Sequence, residues 1–274
     1  MTDDALRRTA APADDAAPRQ ALTDRYRKPL LGLLAVLLFF AAWQAIFLVV
    51  PFNSLFISKP TLIFYGLWDQ IVTGELFNDL LVSAQPFVYG FSAAVVVGVS
   101  IGIVMGWRVR VGYALDPLMI GFYASPLVAL APLVVVFFGV GVSGKAIIIF
   151  LLAVFPFIFN AAAGVRAVDR LLINVVRSLG GTEKDLYFKV IVPSTLPYII
   201  AGTRIAIGRA LVGVLVGEFF AASEGIGYAI AKFGDLFALD KMFACIIVIM
   251  IIAVILTEGI RWAERAAFPW RVGQ

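Results

Sequence analysis

The sequence of 274 residues contains no histidine, a single cysteine and few charged residues. The absence of histidine excludes imidazole metal ligands and Ser-His or Cys-His nucleophiles. Cys245 has no second cysteine to pair with, so a disulfide framework within the chain is also excluded. We therefore expect no catalytic residue and no metal site in this chain.

Apolar residues take the place of the missing charges. Asp, Glu, Lys and Arg make up 15% of the chain and hydrophobic residues 62%, with a mean hydropathy of +0.97. Soluble domains have about 25% charged and about 45–50% apolar residues. The net charge of +4 is spread along the chain instead of forming one basic patch, so nucleic acid is not an expected partner. The composition predicts an all-α membrane protein in contact with a lipid bilayer.

Long apolar runs predict six transmembrane helices, because about 20 apolar residues cross about 30 Å of hydrocarbon. The runs cover approximately 30–50, 84–106, 113–138, 145–163, 197–220 and 242–262. Pro126 and Pro132 predict kinks in the third run. Residues 1–28 have little apolar surface to bury and predict a disordered tail before a membrane domain at 29–270. The first run is expected to be an uncleaved span, and a short helix is expected after Pro60.

Basic residues indicate how the spans are oriented. Sixteen Lys and Arg residues lie on the side of the two termini and the 164–196 loop, and four lie on the other side. Because basic residues are retained on the cytoplasmic side, both termini and this loop are predicted to be cytoplasmic.

Three charged residues lie inside the predicted fifth span, where a central charge costs about 2.5–3.5 kcal/mol on insertion scales. Arg204 is expected to extend to the cytoplasmic surface, and Glu218 is expected at the outer interface. Arg209 lies near the middle and has two interpretations. It makes an ion pair or carbonyl contact inside the protein, which we favour, or it contacts an anionic solute.

Glycines recur at four-residue spacing in two predicted spans. Gly98, Gly102 and Gly106 share the second span, and Gly213 and Gly217 share the fifth. This spacing creates a groove in which another backbone can approach closely. We favour packing within the chain over a dimer interface.

A polar segment, residues 172–193, interrupts the apolar chain between the fourth and fifth spans; we call it the hook. Leu172, Val175, Val176 and Leu179 recur at helical spacing and predict a short helix with one apolar face. Gly180 and Gly181 follow directly, as glycine commonly does at the end of a helix.

The second half of the hook predicts another short helix. Thr182 and Asp185 have the spacing of a capping box that opens a helix. Pro193 and Pro197 are expected to stop this helix before the fifth span begins. The hook is therefore predicted as a helix–bend–helix, lying on the membrane surface or gripped by a soluble partner.

The hook resembles a cytoplasmic loop, EAA-x3-G-x9-I-x-LP, of the permease subunits of ATP-binding-cassette importers. Gly180 is followed after nine residues by Val190-Ile191-Val192-Pro193, whereas Asn174-Val175-Val176 stands where Glu-Ala-Ala is expected. The stretches SPLVALAPLVVVFFGVGVSGKA (125–146) and GIGYAI (225–230) resemble the sulfonate/nitrate/taurine branch. The similarity covers about residues 55–270.

This resemblance implies a type I importer permease fold in a prokaryotic inner membrane. It also implies two ATPase subunits that bind ATP and Mg²⁺, a second permease subunit, expected to be another copy of this chain, and an external solute-binding protein. The ATPase-coupling positions would be Asn174, Val175, Val176, Ser178, Leu179, Gly180, Gly181, Thr182, Asp185, Leu186, Tyr187, Val190 and Pro193. The substrate pathway would include Arg209, Pro126 and Pro132.

The solute implied by the branch is a small organic or inorganic anion, such as an alkanesulfonate, taurine or nitrate. A thiamine-precursor pyrimidine, riboflavin or an aromatic acid is the alternative within the same importer role. An ion-coupled secondary carrier would instead need intramembrane relays of ionisable residues or inverted repeats, which the sequence does not display. A membrane enzyme would need an acid–base pair or a nucleophile, and none stands out.

Overall fold

The computed structural model describes residues 22–49 and 57–267, and within these ranges the regular structure is helical. The chain divides into two units, Met1–Phe52 and Asn53–Gln274. In the first unit, α1 (Leu22–Val49) contains the apolar stretch Leu30–Phe47. The tail predicted to be disordered overlaps this helix, since residues 22–28 are helical. Residues 1–21 of that tail lie outside the described part.

The second unit contains the remaining described helices. They are α2 (Pro60–Val72), α3 (Glu75–Trp107), α4 (Val109–Ala124), α5 (Ala131–Phe138), α6 (Val142–Arg166), α7 (Arg170–Ser178), α8 (Glu183–Leu186), α9 (Val192–Ala221), α10 (Ile226–Asp235) and α11 (Leu239–Ala267). Among the described residues of both units, five helices are long and apolar enough to cross a membrane, or six if one bent pair counts as a span. This confirms the all-α membrane class. The segment 221–241, between the fifth and sixth predicted spans, holds α10.

The third predicted span is two helices joined at a sharp bend and not one kinked helix. Pro126 lies between α4 and a 3-10 turn at Leu127–Leu130, and Pro132 lies in the first turn of α5. The two arms, Val109–Ala124 and Leu127–Phe138, are bent by 81°. A proline in the first turn of a helix has no hydrogen bond to lose, so Pro132 starts a helix where a kink was expected.

Glycines bring α3, α6 and α9 into close contact. A β-carbon added to Gly102 of α3 would lie 2.4 Å from the carbonyl oxygen of Ile158 in α6. One added to Gly213 of α9 would lie 2.8 Å from the Cα atom of Ile149, also in α6. The glycine spacing thus serves packing inside the chain, as predicted, and α6 is the central helix of this layer.

A second buried cluster joins α2, α10 and α11 to the first turns of α3. The Gln70 amide of α2 donates to the backbone carbonyl of Lys241 at 3.3 Å and accepts from the Cys245 thiol at 3.1 Å. Lys241 also forms an ion pair with Asp69 at 2.7 Å. The short helix expected after Pro60 is therefore present and is fastened to the start of α11.

The end of the hook differs from the prediction. A π-helical segment, Tyr187–Ile191, connects α8 directly to α9, so Pro193 and Pro197 do not stop the helix. Proline cannot donate to the carbonyl four residues earlier and crowds it. The backbone N–H of Val192 donates instead to the carbonyl of Tyr187, five residues back. This wider turn accommodates Pro193, and the second half of the hook continues into α9.

Candidate functional site

The hook begins with α7, whose first turn is closed by a side chain. The Asp169 carboxylate accepts a hydrogen bond from the backbone N–H of Leu171 at 2.8 Å. The helix ends at a glycine pair, as predicted, and Gly180 adopts a φ of 74°, which is strained for other residues. The backbone N–H of Gly181 then donates to the carbonyl of Val176 at 2.9 Å, which satisfies an acceptor at the helix end.

A capping box fixes the start of the second half of the hook, as the sequence predicts. The Thr182 backbone N–H and hydroxyl donate to the Asp185 carboxylate at 2.9 and 2.6 Å, and the Asp185 N–H donates to the Thr182 hydroxyl at 3.3 Å. Lys189 forms an ion pair with the same carboxylate at 2.7 Å. The bend between the two halves is therefore a defined structure and not a loose connection.

The inner side of the hook packs on the membrane helices. Leu186 and Ile191 are buried against Ile103 of α3 and Val165 of α6. Ile173 of α7 and Tyr187 pack at the margin of this cluster. Displacement of the hook would disturb a close-packed apolar cluster, so the hook and the ends of α3 and α6 are expected to move together.

The outer side of α7 is apolar and uncovered. Of the four residues predicted to share one apolar face, Val176 packs inward, whereas Leu172, Val175 and Leu179 are exposed, with Leu179 at 82%. The apolar residues of this segment thus lie on two sides: one side packs on the membrane helices and the other is exposed. Exposed apolar groups next to polar ones are typical of a protein–protein contact.

Arg209 of α9 is half-buried and contacts an aromatic residue of α4. Its guanidinium donates to the Tyr123 hydroxyl at 2.9 Å and lies 4.6 Å from the centre of the Tyr123 ring. The Tyr123 ring has edge contacts with Phe159 and a tilted contact with Phe155. No carboxylate of the described residues pairs with Arg209, so the ion pair is not formed; the contact inside the protein that we favoured is made with the Tyr123 side chain. A tyrosine hydroxyl and ring satisfy part of the guanidinium and leave the other donors available.

The other two charged residues of α9 have partners that their local sequence does not indicate. The Arg204 guanidinium is partly exposed and forms an ion pair with Glu264 near the end of α11. Glu218 is not interfacial: it is 1% exposed. It accepts hydrogen bonds from the Ser83 hydroxyl and the Gly227 backbone N–H, both at 2.7 Å, and lies 3.9 Å from the Lys145 ammonium.

The cluster around Glu218 is the polar feature that the sequence prediction missed. Ser83 in turn accepts from the backbone N–H of Ile226, and the Asp79 carboxylate accepts from that of Gly225, both at 3.0 Å. These bonds fasten the start of α10 to α3. A detectable signal was present, since Glu218 lies within an apolar run and is followed by glycines at 225 and 227.

The structure does not gather all predicted pathway residues at one point. Tyr123, the partner of Arg209, lies three residues before Pro126 and so close to the bend after α4. Pro132 is six residues after Pro126, in the first turn of α5. The bend therefore connects one candidate pathway proline with the Arg209 contact. Among residues 22–49 and 57–267, no group of His, Cys, Asp and Glu side chains could hold a metal ion.

Comparison with known proteins gives a consistent result. The family described as binding-protein-dependent transport system inner membrane component matches residues 94–267. The formylaminopyrimidine transport permease protein ThiX of Halalkalibacterium halodurans is 32% identical over 185 residues, covering 68% of this chain and 74% of the relative. The taurine transport system permease protein TauC of Escherichia coli is 36% identical over 178 residues, covering 65% of each chain.

A solved structure shows a similar fold. One chain of the MetNI methionine ABC transporter, in an inward-facing crystal form, superposes with a TM-score of 0.54 and 20% sequence identity. The superposition covers 77% of the present chain and 99% of that chain. At this level of identity the likeness concerns the fold alone.

Proposed function

The chain belongs to the binding-protein-dependent transport system inner membrane components, the permeases of ABC importers, and from this we propose a specific division of labour. The hook receives the movement of two ATPase subunits that bind ATP and Mg²⁺. Two copies of this chain form the pathway, both termini are cytoplasmic, and an external binding protein delivers a small anion.

The observation that carries the coupling role is the construction of the hook. Its outer side presents Leu172, Val175 and Leu179 to a partner, and its second half continues into α9 without interruption. Its inner side packs on α3 and α6. A force applied to the outer side would therefore reach membrane helices through packed groups and continuous backbone, as alternating access requires.

The coupling role predicts that Gly180→Trp loses most of the bound ATPase subunits. Gly180 has a φ of 74° and no neighbouring atoms within 4 Å of an added β-carbon, so the ring disturbs the bend without entering the core. Gly74 offers a matched control, since its φ is 78° and its surroundings are equally open, but it precedes α3. Native mass spectrometry of the complex in mild detergent provides the measurement.

We expect wild type and Gly74→Trp to retain two ATPase copies and Gly180→Trp to lose most of them. Two permease copies in the same complex would support the homodimer. Equal retention in both variants would show that the hook is not the ATPase contact. If wild type retains no ATPase under conditions that preserve the membrane complex, the division of labour is itself wrong.

The Arg209 site supports an anionic solute. A half-buried guanidinium in a membrane span without a carboxylate partner among the described residues retains a net positive charge. Such a charge is costly unless an anion or water occupies the remaining donors. Sulfonate, nitrate and carboxylate groups present oxygen acceptors that suit a guanidinium.

A second solute class is favoured by the aromatic side of the same site. The rings of Tyr123, Phe155 and Phe159 lie together, and a heteroaromatic pyrimidine could stack on such rings. The relative ThiX is named as a formylaminopyrimidine permease. This makes a thiamine-precursor pyrimidine the alternative solute.

ATP-driven uptake into vesicles containing the complete complex distinguishes the two classes. For an anion, Arg209→Gln should lower transport by about tenfold or more, because one charged hydrogen bond is worth about 1.5–3 kcal/mol. Arg110→Gln, at an exposed position in the first turn of α4, is the control for loss of charge. If Arg209→Gln transports taurine or nitrate like wild type, or if only the pyrimidine is transported, the anion proposal fails.

A further inference from the structure

A basic pocket lies where the hook meets the end of α3. It has a volume of about 590 Å³, within the roughly 300–1,000 Å³ of typical small-molecule sites. The polar and aromatic residues that line it are Trp107, Arg108, Arg170, Asn174, Arg177 and Glu183. It is separate from the Arg209 site and from the exposed apolar side of α7.

The charges in this pocket are unbalanced. Three arginines face a single carboxylate, and Arg177 is the one that pairs with Glu183, at 3.5 Å. In the part of the chain that the structure describes, the side chains of Arg108 and Arg170 have no ion pair or hydrogen bond. Two planar guanidiniums thus remain available, one between α3 and α4 and the other at the start of α7. Arginine is the side chain best suited to hold a phosphate group, because its donors match two phosphate oxygens at once.

The position of the pocket indicates where such a phosphate would come from. Trp107 is the last residue of α3, and tryptophan is enriched at the boundary between hydrocarbon and headgroups. Next to it, Val104 and Val109 expose 48% and 60% of their surface, in positions where acyl chains could lie. A phosphate held between Arg108 and Arg170 would therefore be at headgroup depth, beside apolar surface.

We propose that this pocket binds the phosphate group of an anionic phospholipid. The headgroup connects the end of α3 to α7, the half of the hook that otherwise packs inward mainly through Ile173 and Val176. An anionic lipid would then hold the first half of the hook in place. A free phosphate ion offers the same oxygens, and a carboxylate of a bound ATPase subunit could also enter the pocket, so the experiment must separate these three ligands.

Native mass spectrometry of the full-length chain tests the proposal, with phosphatidylglycerol or phosphatidylcholine added to the detergent. We expect Arg108→Gln/Arg170→Gln to bind phosphatidylglycerol roughly thirty-fold more weakly than wild type, since each basic residue at an anionic lipid surface contributes on the order of fivefold. Arg110→Gln/Arg265→Gln is the control, because it removes two exposed charges outside the pocket. It should bind phosphatidylglycerol like wild type, and phosphatidylcholine should bind weakly to all forms.

A second pair of variants does not depend on removing arginine. Asn174→Asp adds a negative charge to the pocket wall, and Ser178→Asp adds the same charge on the same helix outside the pocket. We expect Asn174→Asp to weaken phosphatidylglycerol binding by about fivefold and Ser178→Asp to leave it unchanged. Equal lipid binding within both pairs would overturn the proposal. So would displacement of the lipid by inorganic phosphate, or loss of ATPase retention in the pocket variants while lipid binding is preserved.

Discussion

Two charged residues of the same helix, Glu218 and Arg209 of α9, differ in their burial and in the number of polar groups that contact them. Glu218 is buried and receives two hydrogen bonds and a nearby ammonium group, from α3, α6 and α10. Arg209 is half-buried and has one aromatic partner. A carboxylate whose oxygens accept hydrogen bonds from several helices holds those helices together. A guanidinium with unbonded N–H groups is available to a ligand. Glu218 is therefore a structural charge, and Arg209 is a candidate solute contact.

The largest expected effect comes from removing the structural charge. Glu218→Ala leaves the Ser83 hydroxyl and the Gly227 N–H without their acceptor and removes the carboxylate that pairs with the Lys145 ammonium. Breaking a buried pair in this way costs about 3–5 kcal/mol. We expect a large fall in the thermal unfolding midpoint of the purified chain in detergent, whereas the exposed neighbour Glu224→Ala should change it little.

The same unfolding measurement on Arg209→Ala makes the comparison direct. One hydrogen bond to a neutral partner contributes about 0.5–1.5 kcal/mol, so this variant should be much more stable than Glu218→Ala. If the two variants unfold at the same temperature, the division into a structural and a functional charge is wrong.

A smaller loss of stability is expected from the turn that surrounds Glu218. Gly225 has a φ of 115°, and an added β-carbon would lie 2.5 Å from a Glu218 carboxylate oxygen. Gly225→Ala should therefore cost about 1–3 kcal/mol from backbone strain. Gly121→Ala is the control with the opposite sign, because it lies in α4 with open space around it. Alanine there should stabilise by about 0.4–1 kcal/mol; a destabilisation of the same size at both positions would remove the special role of the turn.

The sequence predicted some of these features and not others, for physical reasons. Hydropathy located the apolar centres of the long helices, but it missed the first turns of α3, because Glu75, Asn78 and Asp79 lower the average there. Glu75 and Asn78 are exposed, whereas Asp79 accepts a hydrogen bond from the backbone N–H of Gly225 at the start of α10. Local sequence patterns predicted local interactions correctly. The capping box of Thr182 and Asp185, for example, is formed by residues that are three apart in the sequence.

Two kinds of feature could not be predicted: an unusual backbone turn, and contacts between residues that are far apart in the sequence. The continuity of the hook with α9 depends on a π-helical turn that relieves Pro193, and no sequence pattern signals that turn. The burial of Glu218 depends on Ser83, which is 135 residues away. The contact between Arg209 and Tyr123 spans 86 residues. For Glu218 and Arg209, a long-range partner decides between the exposed and buried alternatives that a local pattern leaves open.

The smallest expected effect tests how Arg209 is held. Tyr123→Phe removes the hydroxyl that accepts from Arg209 but keeps the ring 4.6 Å from the guanidinium. Stability should fall by only about 0.5–1.5 kcal/mol. If Tyr123 orients Arg209 toward a transported anion, the solute concentration for half-maximal uptake should rise by up to about fivefold, with little change in ATPase retention. Tyr113→Phe, at a position of α4 with 77% exposure, should leave uptake unchanged. Identical uptake by the two variants would mean that the guanidinium is oriented by the ring alone, and the hydroxyl would then belong with Ser83 among the purely structural groups.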